Sequence, residues 1–217
     1  MKKIIAILST AALLLAVTSC ATTKAAEPAK DAAAATEEAA PAVQAVVKNP
    51  APTADVVVLD NFEEGNYFSA ATDTSTATGV DISSDWASEG TSSLALEVGP
   101  NTKDSGKWAM YQCNAPAEVD WSTYKYLYFD VKNATSAPVK VCFCCMGGAW
   151  TWYQNPNEVE VGEEVINVKM SLEETMANGK MLYGSEDSMN MNSLIFAVDG
   201  ATDGGYVYID NVRLAND

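Results

Sequence analysis

The 217-residue chain has no histidine. That absence removes every triad built on imidazole and every histidine-ligated metal site. Basic residues are scarce as well, 13 against 29 acids, for a formal charge of −16. Five of those bases but only four of the acids precede residue 55, so the remainder stands near −17. Such a surface repels phosphate backbones, which excludes nucleic acid as a partner. Neutral sugars, cations and basic proteins stay compatible with it. No apolar run reaches the length of about 20 residues that a membrane span needs. The longest is Ile4 to Val17, behind Lys2 and Lys3.

That run has the layout of a secretion signal: charged start, short apolar stretch, small residues before a cysteine. Val17-Thr-Ser-Cys20 resembles a bacterial lipobox. The resemblance implies removal of residues 1–19 and acylation of Cys20, giving a membrane-anchored lipoprotein with palmitate-type acyl chains. Ala21 follows, not the Asp of the inner-membrane retention pattern, so the expected address is the cell envelope at the outer membrane. Residues 20–54 form a linker rich in Ala, Thr, Glu, Lys and Pro, with no aromatic residue. Such a composition cannot assemble a core. As a flexible coil it spans about 30–35 Å.

From residue 55 to 217 the character changes. Proline thins out, aromatics appear, and β-branched residues alternate with polar ones. Strands are expected near 56–60, 92–98, 107–113, 124–131, 139–146, 150–154, 164–170, 193–199 and 206–214. Leu172 to Ala177 is expected to form a turn or two of helix. Many short strands and little helix predict an all-β, two-sheet antiparallel sandwich. Leu127, Phe129 and Val131 form one apolar row, with Tyr124, Tyr126, Tyr128 and Asp130 opposite. Val139, Val141, Phe143 and Cys145 form another, with Cys142 and Cys144 on the reverse face. Ser92, Leu94, Leu96 and Val98 form a third. In the last strand Val207 and Ile209 face one way, and Tyr206, Tyr208 and Asp210 the other.

Two stretches carry a family resemblance. Val56-Val-Val-Leu-Asp-Asn-Phe-Glu-Glu-Gly65 and Tyr206-Val-Tyr-Ile-Asp-Asn-Val-Arg-Leu214 resemble the two ends of galactose-binding-like β-jelly-rolls, a fold shared by non-catalytic carbohydrate-binding modules of the family 11 type. The resemblance implies a jelly roll over residues 55–217 that binds polysaccharide or oligosaccharide. It also implies one structural calcium held by Glu63 and Asp210, with Asp60 as an extra contact and carbonyls of residues 88–92 completing the shell. The chemistry is reasonable, since calcium takes six to eight hard oxygens.

Sugars offer apolar C–H faces rimmed by hydroxyls, which proteins meet with flat rings and with acids or amides. The densest aromatic cluster is Gly147-Gly-Ala-Trp-Thr-Trp-Tyr-Gln154, with Trp150 and Trp152 expected on one side of a strand. Lys107 to Gln112 adds Trp108 or Tyr111, depending on register. With Tyr126, Tyr128 and Asp130 these residues are expected to line one open sheet face. The competing reading is that such rings pack the core.

Four further cysteines, Cys113, Cys142, Cys144 and Cys145, suit structural use. A bridge from Cys113 to Cys142 or Cys144 fits if their strands are neighbours; buried free thiols fit equally. Cys-Phe-Cys-Cys lacks zinc spacing. The acid pairs Glu63-Glu64, Glu163-Glu164 and Glu173-Glu174 are adjacent, and neighbours on a strand point to opposite faces. No catalytic residue is therefore assigned, and the expected activity is binding. A structural or assembly protein of the envelope, using the sandwich for protein contact, is the alternative.

Overall fold

The computed structural model describes residues 55–71, 75–101, 106–116 and 118–217. The signal, Cys20 and the linker lie outside the described residues. In chain order the strands are β1 (Val57–Asp60), β2 (Ser69–Ala70), β3 (Ala77–Ser83), β4 (Ser93–Val98), β5 (Ala109–Asn114), β6 (Tyr126–Asn133) and β7 (Val139–Met146). They continue with β8 (Trp152–Gln154), β9 (Val159–Val161), β10 (Ile166–Ser171), β11 (Met176–Ala177), β12 (Lys180–Met181), β13 (Ser193–Asp199) and β14 (Gly205–Ala215). One short helix, α1, spans Glu186–Met189.

The strands form two antiparallel sheets. One has six strands in the order β10-β6-β14-β4-β3, with β1 also paired to β14. The other has eight, in the order β12-β11-β8-β7-β13-β5-β2, with β9 paired to β7. This is the expected all-β sandwich. All nine expected strands are present, several with ends shifted by up to two residues. The expected helix at Leu172 is absent: the segment turns at once into β11, and the helical turn sits instead behind Ser185, whose side chain caps it. Ser185 is a good N-cap and Leu172 is not.

The alternation sets the core. Leu94, Leu96, Leu127, Phe129 and Val131 from one sheet meet Val139, Val141, Phe143, Cys145 and Phe196 from the other. Phe129 and Phe196 touch across the sandwich with ring centres 4.9 Å apart. Each fully buried large side chain contributes about 1.5–3 kcal/mol. Ser92, expected in a core row, lies just ahead of β4 and is only half-buried.

Strand β14 departs from simple alternation. Val207 and Ile209 are buried, and so are Val212 and Leu214, which have the opposite parity. A bulge between Asp210 and Arg213 supplies the extra residue, with Asn211 at φ +52°. Asparagine tolerates that left-handed conformation better than most residues. The strand therefore runs on past Asp210, over the expected span and one residue beyond it at each end.

Of the two readings left open for the cysteines, the bridge from Cys113 to Cys142 or Cys144 is ruled out by topology. Cys113 faces the core from β5, Cys142 and Cys144 lie on the outer face of β7, and β13 runs between them. All four described cysteines are free and buried.

Candidate functional site

The two outer faces of the sandwich divide the expected binding residues between them. Tyr126, Tyr128 and Asp130 belong to the six-stranded sheet; Trp108, Tyr111, Trp150 and Trp152 belong to the eight-stranded sheet or its loops. They do not line a common face.

Tyr111 points inward and is 0% exposed. Its hydroxyl donates to the Glu97 carbonyl at 2.6 Å, tying β5 to β4 across the core, and burial pushes its pKa far up. The register therefore turns Trp108, Met110 and Gln112 outward. Asp130 is also withdrawn, at 2% exposure. It accepts from the Ser88 hydroxyl at 2.6 Å, from Asn167 Nδ2 at 2.8 Å and from Asn211 Nδ2 at 3.4 Å. Tyr128 is capped by the chain end: its hydroxyl donates to the Asp217 backbone carbonyl, and its ring lies under Arg213. Neither side chain is free to meet a ligand.

On the eight-stranded sheet the register draws a line across the outer face. Met181 pairs with Met176, then Gln154, Cys144, Ile195, Gln112 and Ser69, one residue from each strand. A parallel line joins Trp152, Met146, Ser193 and Asn114. A third joins Cys142, Ala197 and Met110. Rings, thioethers and amides alternate there without a charged side chain. Charge returns at one end, where Lys140 meets Glu158 at 2.5 Å beside Asp199 and Glu160. Trp152 is 41% exposed and Trp108 half-buried against the cysteine cluster.

Trp150 does not share a strand row with Trp152. It occupies the turn before β8 at φ +59° and is 66% exposed. Asp187 at the start of α1 fixes that turn. Its carboxylate accepts from the Ala149 N–H at 3.0 Å and from the Tyr153 hydroxyl at 2.9 Å. The Ala149 bond is the main reason its pKa falls below the ordinary 3.8, despite opposing burial. A Cβ on Gly147 would lie 2.5 Å from the Asp187 Cβ, so only glycine permits this approach.

The expected calcium residues do come together, but with a different chemistry. Glu63 accepts from the Thr91 N–H at 2.7 Å, the Ser92 N–H at 2.8 Å and the Thr91 hydroxyl at 2.8 Å. Those bonds, the Thr91 N–H first, hold its pKa below the ordinary value. Asp210 accepts from the Ser88 N–H at 2.8 Å, the Glu89 N–H at 3.1 Å and the Asn211 N–H at 2.7 Å. Burial outweighs these bonds and raises its pKa. Gly90, at φ +68°, lets the loop close on the Glu63 carboxylate. The loop thus meets both acids with N–H donors, not with the carbonyls a cation requires. Asp60 turns its carboxylate to the Phe62 N–H at 2.8 Å. Among the described residues no three cysteine or acid side chains converge as a metal cage. The arrangement fits a hydrogen-bonded clasp and not a calcium shell.

Sequence reasoning missed Met110, Gln112, Met146 and Gln154. The parity of β5, β7 and β8 carries them: each stands on the face opposite an apolar core row.

Comparison with solved structures places this architecture. The family 11 carbohydrate-binding module from Clostridium thermocellum, solved with a β-1,3-1,4-mixed-linked tetrasaccharide, is similar at TM-score 0.55 and 14% identity, covering 74% of this chain and 95% of that one. A non-crystalline cellulose-specific module of family 28 is similar at TM-score 0.55 and 15% identity, covering 76% and 97%. A family 27 module from Caldicellulosiruptor saccharolyticus, solved with mannohexaose, is similar at TM-score 0.52 and 19% identity, covering 76% and 99%. No family model and no curated protein matches the sequence. The domain has the β-sandwich fold of carbohydrate-binding modules.

Proposed function

We propose that the domain binds a neutral polysaccharide, without catalysis, on the outer face of its eight-stranded sheet. The observation that carries this reading is the uncharged face itself. On a domain near −17, the lines through Gln154 and Trp152 hold only rings, thioethers, a thiol, amides, hydroxyls and aliphatic groups. Trp152 and Trp108 supply flat apolar planes for sugar C–H groups, and Gln154 and Gln112 supply both donors and acceptors for hydroxyls. Trp150 stands at the rim on a turn braced by Asp187, so little ordering is needed on contact. The uncharged face suits a β-glucan or a related neutral glycan, and the modules of similar fold are known in complex with such oligosaccharides.

The same proposal places the domain at the cell envelope. Acyl chains on Cys20 hold it to the outer membrane, and residues 21–54 let it reach a glycan clear of the lipid surface. Labelling with a palmitate analogue, lost in Cys20→Ala, tests the anchor.

Affinity electrophoresis of the full chain through gels containing mixed-linked β-glucan, galactomannan or xylan tests the function. Retardation in at least one gel, abolished by Trp152→Ala, is the expected result. No retardation by any glycan would favour an envelope protein as the partner of this face.

A further inference from the structure

A cleft of about 370 Å³ opens where the end of β1, the loop after it and the end of β5 meet. Its floor is core: Phe68, Cys113 and Leu194 are buried, and Phe68 stacks on Phe196 with ring centres 5.7 Å apart. Burial raises the Cys113 pKa to about 12, so the floor stays neutral. The rim is polar and exposed, formed by Asn61, Glu64 and Asn114 beside the Tyr67 ring, which is 69% exposed. Asp60 completes the wall, half-buried, its Oδ1 accepting from the Phe62 N–H at 2.8 Å.

The loop holds this shape by itself. Phe62, fully buried at φ +58°, turns the chain so that Asp60 and Glu64 on either side of it both line the cleft. Glu63 is drawn the other way, to Thr91. A left-handed phenylalanine persists only where its surroundings hold it. Asn66 pins the rest of the loop, donating to the Val80 carbonyl at 3.1 Å and accepting from the Phe68 N–H at 2.7 Å. Little ordering is left for a ligand to induce.

We propose that this cleft binds an amino sugar, a single hexose ring carrying a protonated amine. Asp60 and Glu64 take the ammonium, the Tyr67 ring lies against the sugar, and the amides of Asn61 and Asn114 meet its hydroxyls. The site is separate from the sheet face, with Asn114 alone shared with the line through Trp152, and the inference does not rest on the neutral-glycan reading.

The lining selects the ligand. It holds two carboxylates and no basic side chain, which turns anions away and favours a cation. An ammonium gains from both acids through charge-assisted hydrogen bonds and from the negative face of the ring. A bare calcium ion fits less well, since it takes six to eight oxygens. Among the described residues no three acid or cysteine side chains gather for one. A lysine side chain of a partner protein would satisfy the acids, but its stem has no hydroxyl and would leave both amides unused. The volume stands at the small end of ligand sites, suited to one ring and not to an oligomer.

The test is titration of the isotope-labelled full chain with glucosamine, below the pKa of its amine, read by amide shifts. Saturable shifts confined to residues 58–68 and 113–116 and to Leu194 are expected. Glucose and N-acetylglucosamine, which lack the charge, should bind at least about 10-fold more weakly. Glu64→Gln and Asp60→Asn should each weaken glucosamine about 10-fold, and Tyr67→Ala about 3-fold. Glu64 is exposed, so its amide variant serves even where Asp60→Asn does not fold. Retardation of Glu64→Gln in β-glucan gels should be unchanged, which separates failure of this site from failure of the sheet face. Glucose matching glucosamine, undiminished binding by Glu64→Gln, or no saturable shift around the cleft would overturn the proposal. Tighter binding of Nα-acetyl-lysine amide than of glucosamine would overturn it too, assigning the cleft to a lysine side chain of a protein.

Discussion

The outer face of the six-stranded sheet and the outer face of the eight-stranded sheet both carry aromatic side chains, yet they use them oppositely. On the first, Tyr126 and Tyr128 lie under Lys169, and Tyr128 also lies under Arg213. Asp130 and Asp210 face each other across two strands and share Ser88, which donates to one or the other. Trp86, Tyr208 and Tyr206 form a ladder bordered by Asp85, Glu97 and Lys132. Asp130, Asp210 and the Tyr128 hydroxyl are partnered from within the domain. On the second face the amides of Gln112 and Gln154 stand between rings and thioethers with little charge nearby. The contrast teaches that an aromatic residue marks a binding surface only where its polar neighbours remain available.

That comparison can be broken by substitution. Asp210→Ala should cost about 3 kcal/mol of stability in urea unfolding, because it removes the buried carboxylate that holds the Ser88, Glu89 and Asn211 N–H groups. Glycan retardation of the protein that remains folded should be unchanged. Trp152→Ala should reverse the pattern: a loss of about 2 kcal/mol in glycan affinity, roughly thirtyfold in Kd, with stability within about 0.5 kcal/mol. If Asp210→Ala abolished retardation while folded, the division between the faces would be wrong.

Gly147→Ala should act at one remove, costing about 1 kcal/mol of binding by pushing the Trp150 turn off Asp187. Isothermal titration against a glycan retained in gels would show it. The same brace sets a pH dependence. The Asp187 pKa is lowered in the fold, so its stabilisation is complete above the ordinary 3.8 and is lost as pH falls through the lower folded value. Amide exchange of Ala149 should therefore stay protected down to the ordinary carboxylate range and rise below it. Protection lost already at pH 6 would contradict the brace. The smallest expected effect is none: a chelator of divalent cations should leave the melting temperature unchanged, since the clasp at Glu63 and Asp210 is hydrogen-bonded. A fall of several degrees would restore calcium to that position.

Much of the fold was legible in the sequence because period-two alternation survives in most strands. Leu127, Phe129 and Val131, and Val139, Val141, Phe143 and Cys145, announce their burial directly. The strands β2, β9, β11 and β12 were not legible, since two or three residues carry no period, and β3 was missed because its Thr78, Gly79 and Asp81 leave little apolar alternation. The site was only half legible. Parity alone leaves Trp108 and Tyr111 equivalent until a register is fixed, and the register depends on the distant pairing of β5 with β13. Asp130 looked like an exposed acid because its partners Ser88, Asn167 and Asn211 are remote in sequence. Proximity of Glu63 and Asp210 to the loop at residues 88–92 was foreseeable from the motifs. Which backbone atoms that loop presents was not.

The claim at the centre of this account is that sugar rests on the eight-stranded sheet. Titrating the isotope-labelled chain with a mixed-linked β-glucan oligosaccharide and mapping amide shifts tests it most directly. The largest shifts should fall on β5, β7, β8 and β13 and on the indole of Trp152. Shifts concentrated instead on β6, β10 and β14, around Tyr206 and Tyr208, would contradict it.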